Sequence, residues 1–134
     1  MYDYFKNVAE SNNWVFKYGR SDYLNLSNEI EEPNKIHFFI DPIITDSNFS
    51  DVGTETKSYS GKFMMLLSSD VDESYDDKYN DYIKPLINGA LQTLKNDLVC
   101  ADFDINKFQV LEVINLFDYN LDGVLVNYSL TPYE

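Results

Sequence analysis

Tyr79-Asn80-Asp81-Tyr82-Ile83-Lys84-Pro85-Leu86-Ile87-Asn88-Gly89-Ala90-Leu91-Gln92-Thr93-Leu94-Lys95-Asn96-Asp97-Leu98 decides the fold. Tyr79, Tyr82, Ile83, Leu86, Ile87, Ala90, Leu91, Leu94 and Leu98 recur at spacings of three and four, which puts them on one stripe of a helix. So continuous a stripe needs an apolar surface to cover it. Pro85 and Gly89 weaken the middle, and Pro85 is expected in the first turn of the regular part, with Asn80 or Asp81 as cap. Carboxylates ahead of the helix and Lys95 toward its end suit the helix dipole.

The surface to be covered is a sheet. Upstream, Trp14-Val15-Phe16-Lys17-Tyr18, Lys35-Ile36-His37-Phe38-Phe39-Ile40-Asp41 and residues 57–69 are aromatic, β-branched or apolar runs of strand length. Pro42 ends the second run. Downstream, residues 108–117 and 124–130 are two further strands, joined by Asp118-Tyr119-Asn120-Leu121-Asp122-Gly123 as a hairpin with positive φ at its Asp-Gly end. Residues 101–106 are a connector. Met1, Tyr2, Phe5, Val8 and Ala9 mark a short amphipathic helix that ends near Ser11-Asn12-Asn13. Ser21–Leu26 is one helical turn or a loop, and Glu29–Asn34 has turn chemistry. Residues 45–57 are polar except for Phe49 and Val52, which reads as a projecting loop or hairpin. The sum is one α+β domain over residues 1–134, in the order α-β-β-β-α-β-β. It has a single antiparallel or mixed sheet of about five strands, with helices packed on one face. Phe38, Ile40, Met64, Leu66, Ile83, Ile87, Leu91 and Leu94 are expected between sheet and long helix.

Composition narrows the function. The chain has 134 residues, enough for one domain with a core. It carries a formal net charge of −13, with Arg20 as its one arginine and its lysines scattered. Phosphate-binding surfaces need clustered Lys and Arg, so direct nucleic-acid binding is not expected; a negative field repels DNA. There is no apolar run long enough for a membrane span, and the first residues lack a signal-peptide pattern, so synthesis in the cytoplasm is expected. Cys100 has no partner for an internal disulfide and is read as core. The bias toward Asn, Lys, Ile, Tyr and Phe suits an AT-rich genome.

Three constellations resemble chemical sites. Asp118, Asn120 and Asp122, followed by Gly123, open like a calcium loop, in which alternate oxygens converge on one ion. The twelfth position is Ser129, where a bidentate Glu is required, and the flanks are strands, so a hairpin turn is the better reading. Asp70, Asp72, Glu73, Asp76, Asp77 and Asp81 could hold a divalent ion, but no lysine, histidine or glycine-rich loop accompanies them, and a solvated helix entry explains them. Asp41 with Glu55-Thr56-Lys57 has the spacing of a magnesium-binding nuclease core, against the sign of the charge. His37 has no identifiable Ser or Cys partner for a relay. An enzyme, a cofactor and a metal are therefore not expected. The eleven tyrosines divide between core and interface readings.

Tyr2-Asp3-Tyr4-Phe5-Lys6, Asn13-Trp14-Val15-Phe16-Lys17-Tyr18-Gly19, and Val110–Asp118 with Asp122-Gly123-Val124-Leu125-Val126 resemble small proteins encoded among tail genes of phages and prophages of Bacteroides-like bacteria. The order of elements is similar to tail-terminator and tail-completion domains, over essentially the whole chain and without a diagnostic motif. The resemblance implies a virion protein at the tail or head–tail neck, in a homo-oligomeric ring of six or twelve subunits. Its partners would be tail-tube, adaptor or portal proteins, with DNA passing through the lumen. In such a ring Phe49, Val52 and Tyr59 are candidates for the subunit interface, and Asp70, Asp72, Asp76 and Asp77 for the channel wall. The competing expectation is an acidic DNA mimic that inhibits a host DNA-binding enzyme; it would stay a monomer or dimer.

Overall fold

A computed structural model describes residues 1–19, 35–68, 74–116 and 121–132. The readings made for Ser21–Leu26 and Glu29–Asn34 lie outside these residues.

The described chain is α+β with a mixed six-stranded sheet. Helix α1 (Tyr2–Ser11) buries Phe5, Val8 and Ala9 and ends at Asn12 and Asn13, the latter at φ 61°. Asparagine tolerates this conformation better than most residues. Strand β1 (Val15–Tyr18) runs parallel to β2 (His37–Ile40), and all other pairings are antiparallel. Strand β4 (Glu55–Ser68) is the axis of the sheet. One of its edges takes β2 at Phe63–Leu66 and β3 (Ile44–Phe49) at Glu55–Ser60; the other takes β6 (Leu121–Pro132), which pairs with β5 (Phe103–Leu116). Pro42 cannot donate to a ladder, so β2 and β3 are two strands along one edge, with Asp41–Ile43 bulging opposite Gly61 and Lys62. The polar stretch after Pro42 therefore adds a sixth strand to the five expected, and β5 begins at Phe103 inside the expected connector.

The long helix, α2, is one run of helical segments: Tyr75–Lys78, Tyr79–Ile83, Lys84–Leu86, Ile87–Leu91 and Gln92–Cys100. Its cap is Ser74, whose hydroxyl accepts from the Asp77 N–H at 3.2 Å, rather than Asn80 or Asp81. Pro85 lies in the interior. Its ring would meet the carbonyl of Asp81 in a regular α-helix. Tyr79–Ile83, which contains that carbonyl, is a wider π-turn, and Ile87–Leu91 is a second one around Gly89.

Both helices cover the same face. Phe5, Leu86, Leu91, Leu94 and Leu98 meet Phe38, Ile40, Phe63, Met65, Val124, Val126, Tyr128 and Leu130 in one buried cluster. Edge-on ring contacts knit its centre: Phe5–Phe38 at 5.8 Å, Phe38–Phe63 at 5.2 Å and Trp14–Phe38 at 5.6 Å between centroids. Ile83 is buried too, and Ile87 is half-buried. Met64 and Leu66 are buried, but not under the helix. Strand alternation turns them to the opposite face, where they cluster with Phe39 and Leu121.

Gly123 is not a turn residue. It lies inside β6 opposite Leu66, and a Cβ built on it would overlap the Met65 carbonyl oxygen. Only glycine lets the two backbones approach this closely. We expect Gly123→Ala to destabilise by more than about 3 kcal/mol, since the obstacle is main chain and not a side chain that can turn away. Gly89→Ala, whose new methyl meets nothing within 4 Å, should stabilise by about 0.5–1 kcal/mol. Urea denaturation of the two variants checks both signs.

Candidate functional site

The feature that departs most from a closed domain is the β3–β4 hairpin. β6 leaves β4 after the Tyr59–Leu130 pair, so among the described residues Glu55–Ser58 are backed by β3 alone and the hairpin overhangs the sheet as a two-stranded ribbon. Its tip is closed by Ser50 N–H to Thr54 O at 2.8 Å, Gly53 N–H to Ser50 O at 2.9 Å and Thr54 N–H to the Ser50 hydroxyl at 3.1 Å, with Gly53 at φ 82°. Every residue of β3 is exposed; Phe49 is 68% and Val52 88% exposed, so the two candidate contacts at the tip are open to solvent. Tyr59 is half-buried at the root. Glu55, Thr56, Lys57, Tyr59 and Pro132 line a cleft of about 280 Å³ between the overhang and the end of β6.

The other candidates scatter. Asp76 and Asp77 are exposed in the first turn of α2, and Asp81 is exposed on the next. Asp70, Asp72 and Glu73 lie outside the described residues, as do Asp118 and Asn120. Asp122 is wholly buried, and the Lys78 ammonium, equally buried, donates to its Oδ2 at 3.3 Å. The last carboxylate of the Asp118-Asn120-Asp122 pattern thus faces a cation. The signal for this pair lies in the helical period: Lys78 stands four residues before Tyr82, on the apolar stripe of α2. A charge there needs a buried counter-charge.

Asp41 and Glu55 do not converge. Asp41 sits beside Lys62, at 3.7 Å, and Glu55 is seven residues further along β4, about 23 Å away at the rise of a strand. His37 is buried in β2, its ring 6.0 Å from that of Phe39. Cys100, expected in the core, is exposed at the end of α2 because the stripe has turned away from the sheet after Leu98. Among the described residues no group of three or more His, Cys, Asp or Glu side chains is placed to hold a metal ion, and no helix is long and apolar enough to cross a membrane.

Two tyrosines have perturbed hydroxyls. Burial raises Tyr4 well above the ordinary phenol pKa, helped by its 2.8 Å hydrogen bond to the Asp97 carboxylate. Burial also raises Tyr128, with the charge of Asp41 adding to it. The Tyr128 hydroxyl has no hydrogen-bond partner among the described residues. Of the other described tyrosines, Tyr2, Tyr18, Tyr75 and Tyr79 are exposed, while Tyr59 and Tyr82 are half-buried.

Comparison with known protein families and with characterised proteins finds no match to this chain.

Chelation of divalent ions should leave the melting temperature unchanged; a fall of several degrees that calcium reverses would restore Asp118, Asn120 and Asp122 as a site. Removing one half of the buried pair, as in Lys78→Met, should cost about 3–5 kcal/mol, read by urea denaturation. The two phenols should behave oppositely. Tyr128→Phe removes an unpaired buried hydroxyl and should be neutral or stabilising, whereas Tyr4→Phe loses a charged hydrogen bond and should cost about 1–2 kcal/mol. Both phenols are held neutral by the fold, so their contribution is complete below about pH 10 and is lost as the pH rises further. Tyr128→Phe should therefore lessen the alkaline loss of stability, measured by urea titration at pH 7 and at about pH 10.5.

Proposed function

We propose that this chain is a non-enzymatic structural subunit of a tailed phage or prophage particle, assembling into a ring at the tail end or head–tail neck. The observation that carries the assembly reading is the overhanging ribbon. A two-stranded ribbon with exposed Phe49 and Val52 gains little for its own domain, and a neighbouring subunit supplies the surface such an element lacks. The net charge of −13 suits a ring around moving DNA, because a lumen that repels phosphates does not hold the passing duplex. Asp76 and Asp77 are exposed and available to such a wall. The phage setting itself rests on the sequence resemblance.

Thr45 and Tyr59 are cross-strand partners, so residues 46–58 can be replaced by an Asn-Gly turn that closes the hairpin at its root. The replaced residues are exposed apart from half-buried Ser58, and the melting temperature should move by only a few degrees. The shortened protein should lose the large closed species that the native chain forms in light-scattering chromatography. A native chain that stays monomeric at high concentration, and blocks a DNA-binding enzyme, would replace the ring with a DNA mimic.

A further inference from the structure

Glu55–Ser58 have β3 on one edge and, among the described residues, no strand on the other. β6 continues to Pro132 in its pairing with β5 but has already parted from β4. The cleft bounded by Glu55, Thr56, Lys57, Tyr59 and Pro132 lies along that open edge. Main-chain groups on such an edge are a template for another strand. A ribbon of two strands is also marginal in water, and further strands would stabilise it.

The charges say which strand fits. Glu55 and Lys57 share one face of β4, their charged atoms 3.9 Å apart. An antiparallel partner places one residue opposite each of them. Let that partner be the same stretch of a second copy, with a two-fold axis at Thr56. Glu55 then faces Lys57 of the partner subunit, and Lys57 faces Glu55 of the partner subunit. Sliding the partner by two residues in either direction puts Glu opposite Glu or Lys opposite Lys, which is unfavourable. Sliding it by one turns the partner's charges to the other face. The edge therefore matches itself in one register. That matters for a chain of net charge −13, since contact between copies must neutralise acids at the join.

We propose that two copies pair antiparallel along Thr54–Ser58 about a two-fold axis at Thr56, making a four-stranded ribbon with the two β3 strands outermost. The tip of each ribbon, with Val52, then approaches the cleft beside Tyr59 and Pro132 of the partner subunit. This rests on the reading of the ribbon as a subunit contact and not on the phage setting. A two-fold contact closes at two copies, so a ring of six or twelve would be built from such pairs through a second contact.

Two tests on the full chain decide it. With Cys100→Ser in the background, Thr56→Cys should form an intermolecular disulfide under mild oxidation, whereas Asn48→Cys, on the outer strand, should not. By sedimentation equilibrium, Glu55→Lys and Lys57→Glu should each weaken pairing about tenfold, from two favourable cross-strand pairs replaced by repulsive ones. The double exchange Glu55→Lys/Lys57→Glu should restore it. Absence of the Thr56→Cys disulfide, or failure of the double exchange to restore pairing, overturns the two-fold contact. If the native chain still forms a large ring in that case, the proposed function stands without the contact. If the disulfide forms but nothing beyond the dimer is ever seen, the contact stands and the ring falls.

Discussion

Phe63-Met64-Met65-Leu66 is buried on both faces of the sheet, and the rest of the structure is arranged around that requirement. Phe63 and Met65 face the helices, while Met64 and Leu66 face the second cluster. A strand with two apolar faces cannot lie at an edge, and here β2 flanks it on one side and β6 on the other. A register slip of one residue would exchange the two faces all along β4. Gly123 adds a steric pin at the same level: β6 can lie against Leu66 only where its backbone carries no side chain. Helix α2 follows from the first face, since its stripe covers the residues that β4 presents there.

The class of fold was legible because burial leaves a period. The stripe from Tyr79 to Leu98 and the run Lys35–Asp41 could each be laid against only one kind of neighbour, and Leu86, Leu91, Leu94 and Leu98 of the first and Phe38 and Ile40 of the second are buried there, while Tyr79 is exposed. What stayed hidden was decided by partners distant in sequence. Asp122-Gly123 has the composition of a hairpin turn, and only the nearness of Met65 makes it strand. Met64 and Leu66 are as apolar as Phe63 and Met65, so nothing in the run says which pair faces α2. Ser74 outcompetes Asn80 and Asp81 as the cap because π-turns let the helix pass through Pro85, whose local signal is a start. The ribbon was visible as a polar interval, but its pairing was not, because neither face of β3 is buried and so neither leaves a pattern.

The charges follow the same division. Most acidic side chains among the described residues are exposed and set only the field around the molecule. Lys78 and Asp122 differ, two opposite charges taken fully out of water between α2 and β6. Such a pair gains little net stability over apolar replacements, yet either member alone would be costly. It acts as a constraint on placement, holding the first turn of α2 over the start of β6 beside the point where Gly123 meets β4.

Strand edges are where a sheet meets other molecules, and this sheet treats its edges differently. Among the described residues β5 has the longest free edge, yet its ladder with β6 is broken between Ile105 and Lys107 and again between Val113 and Leu116. Irregularities of that kind twist an edge away from flat pairing, and Lys107 and Glu112 add charge to it. The overhang of β4 has no such break. Its ladder with β3 is regular from Ile44–Ser60 to Phe49–Glu55, and its two charges are opposite in sign and two residues apart. A long edge guarded against strand addition and a short one left regular are what a sheet needs if it is to join other subunits at one place. That contrast, more than the exposure of Phe49 or Val52, favours the ribbon root over the outer edge of β5 as the contact.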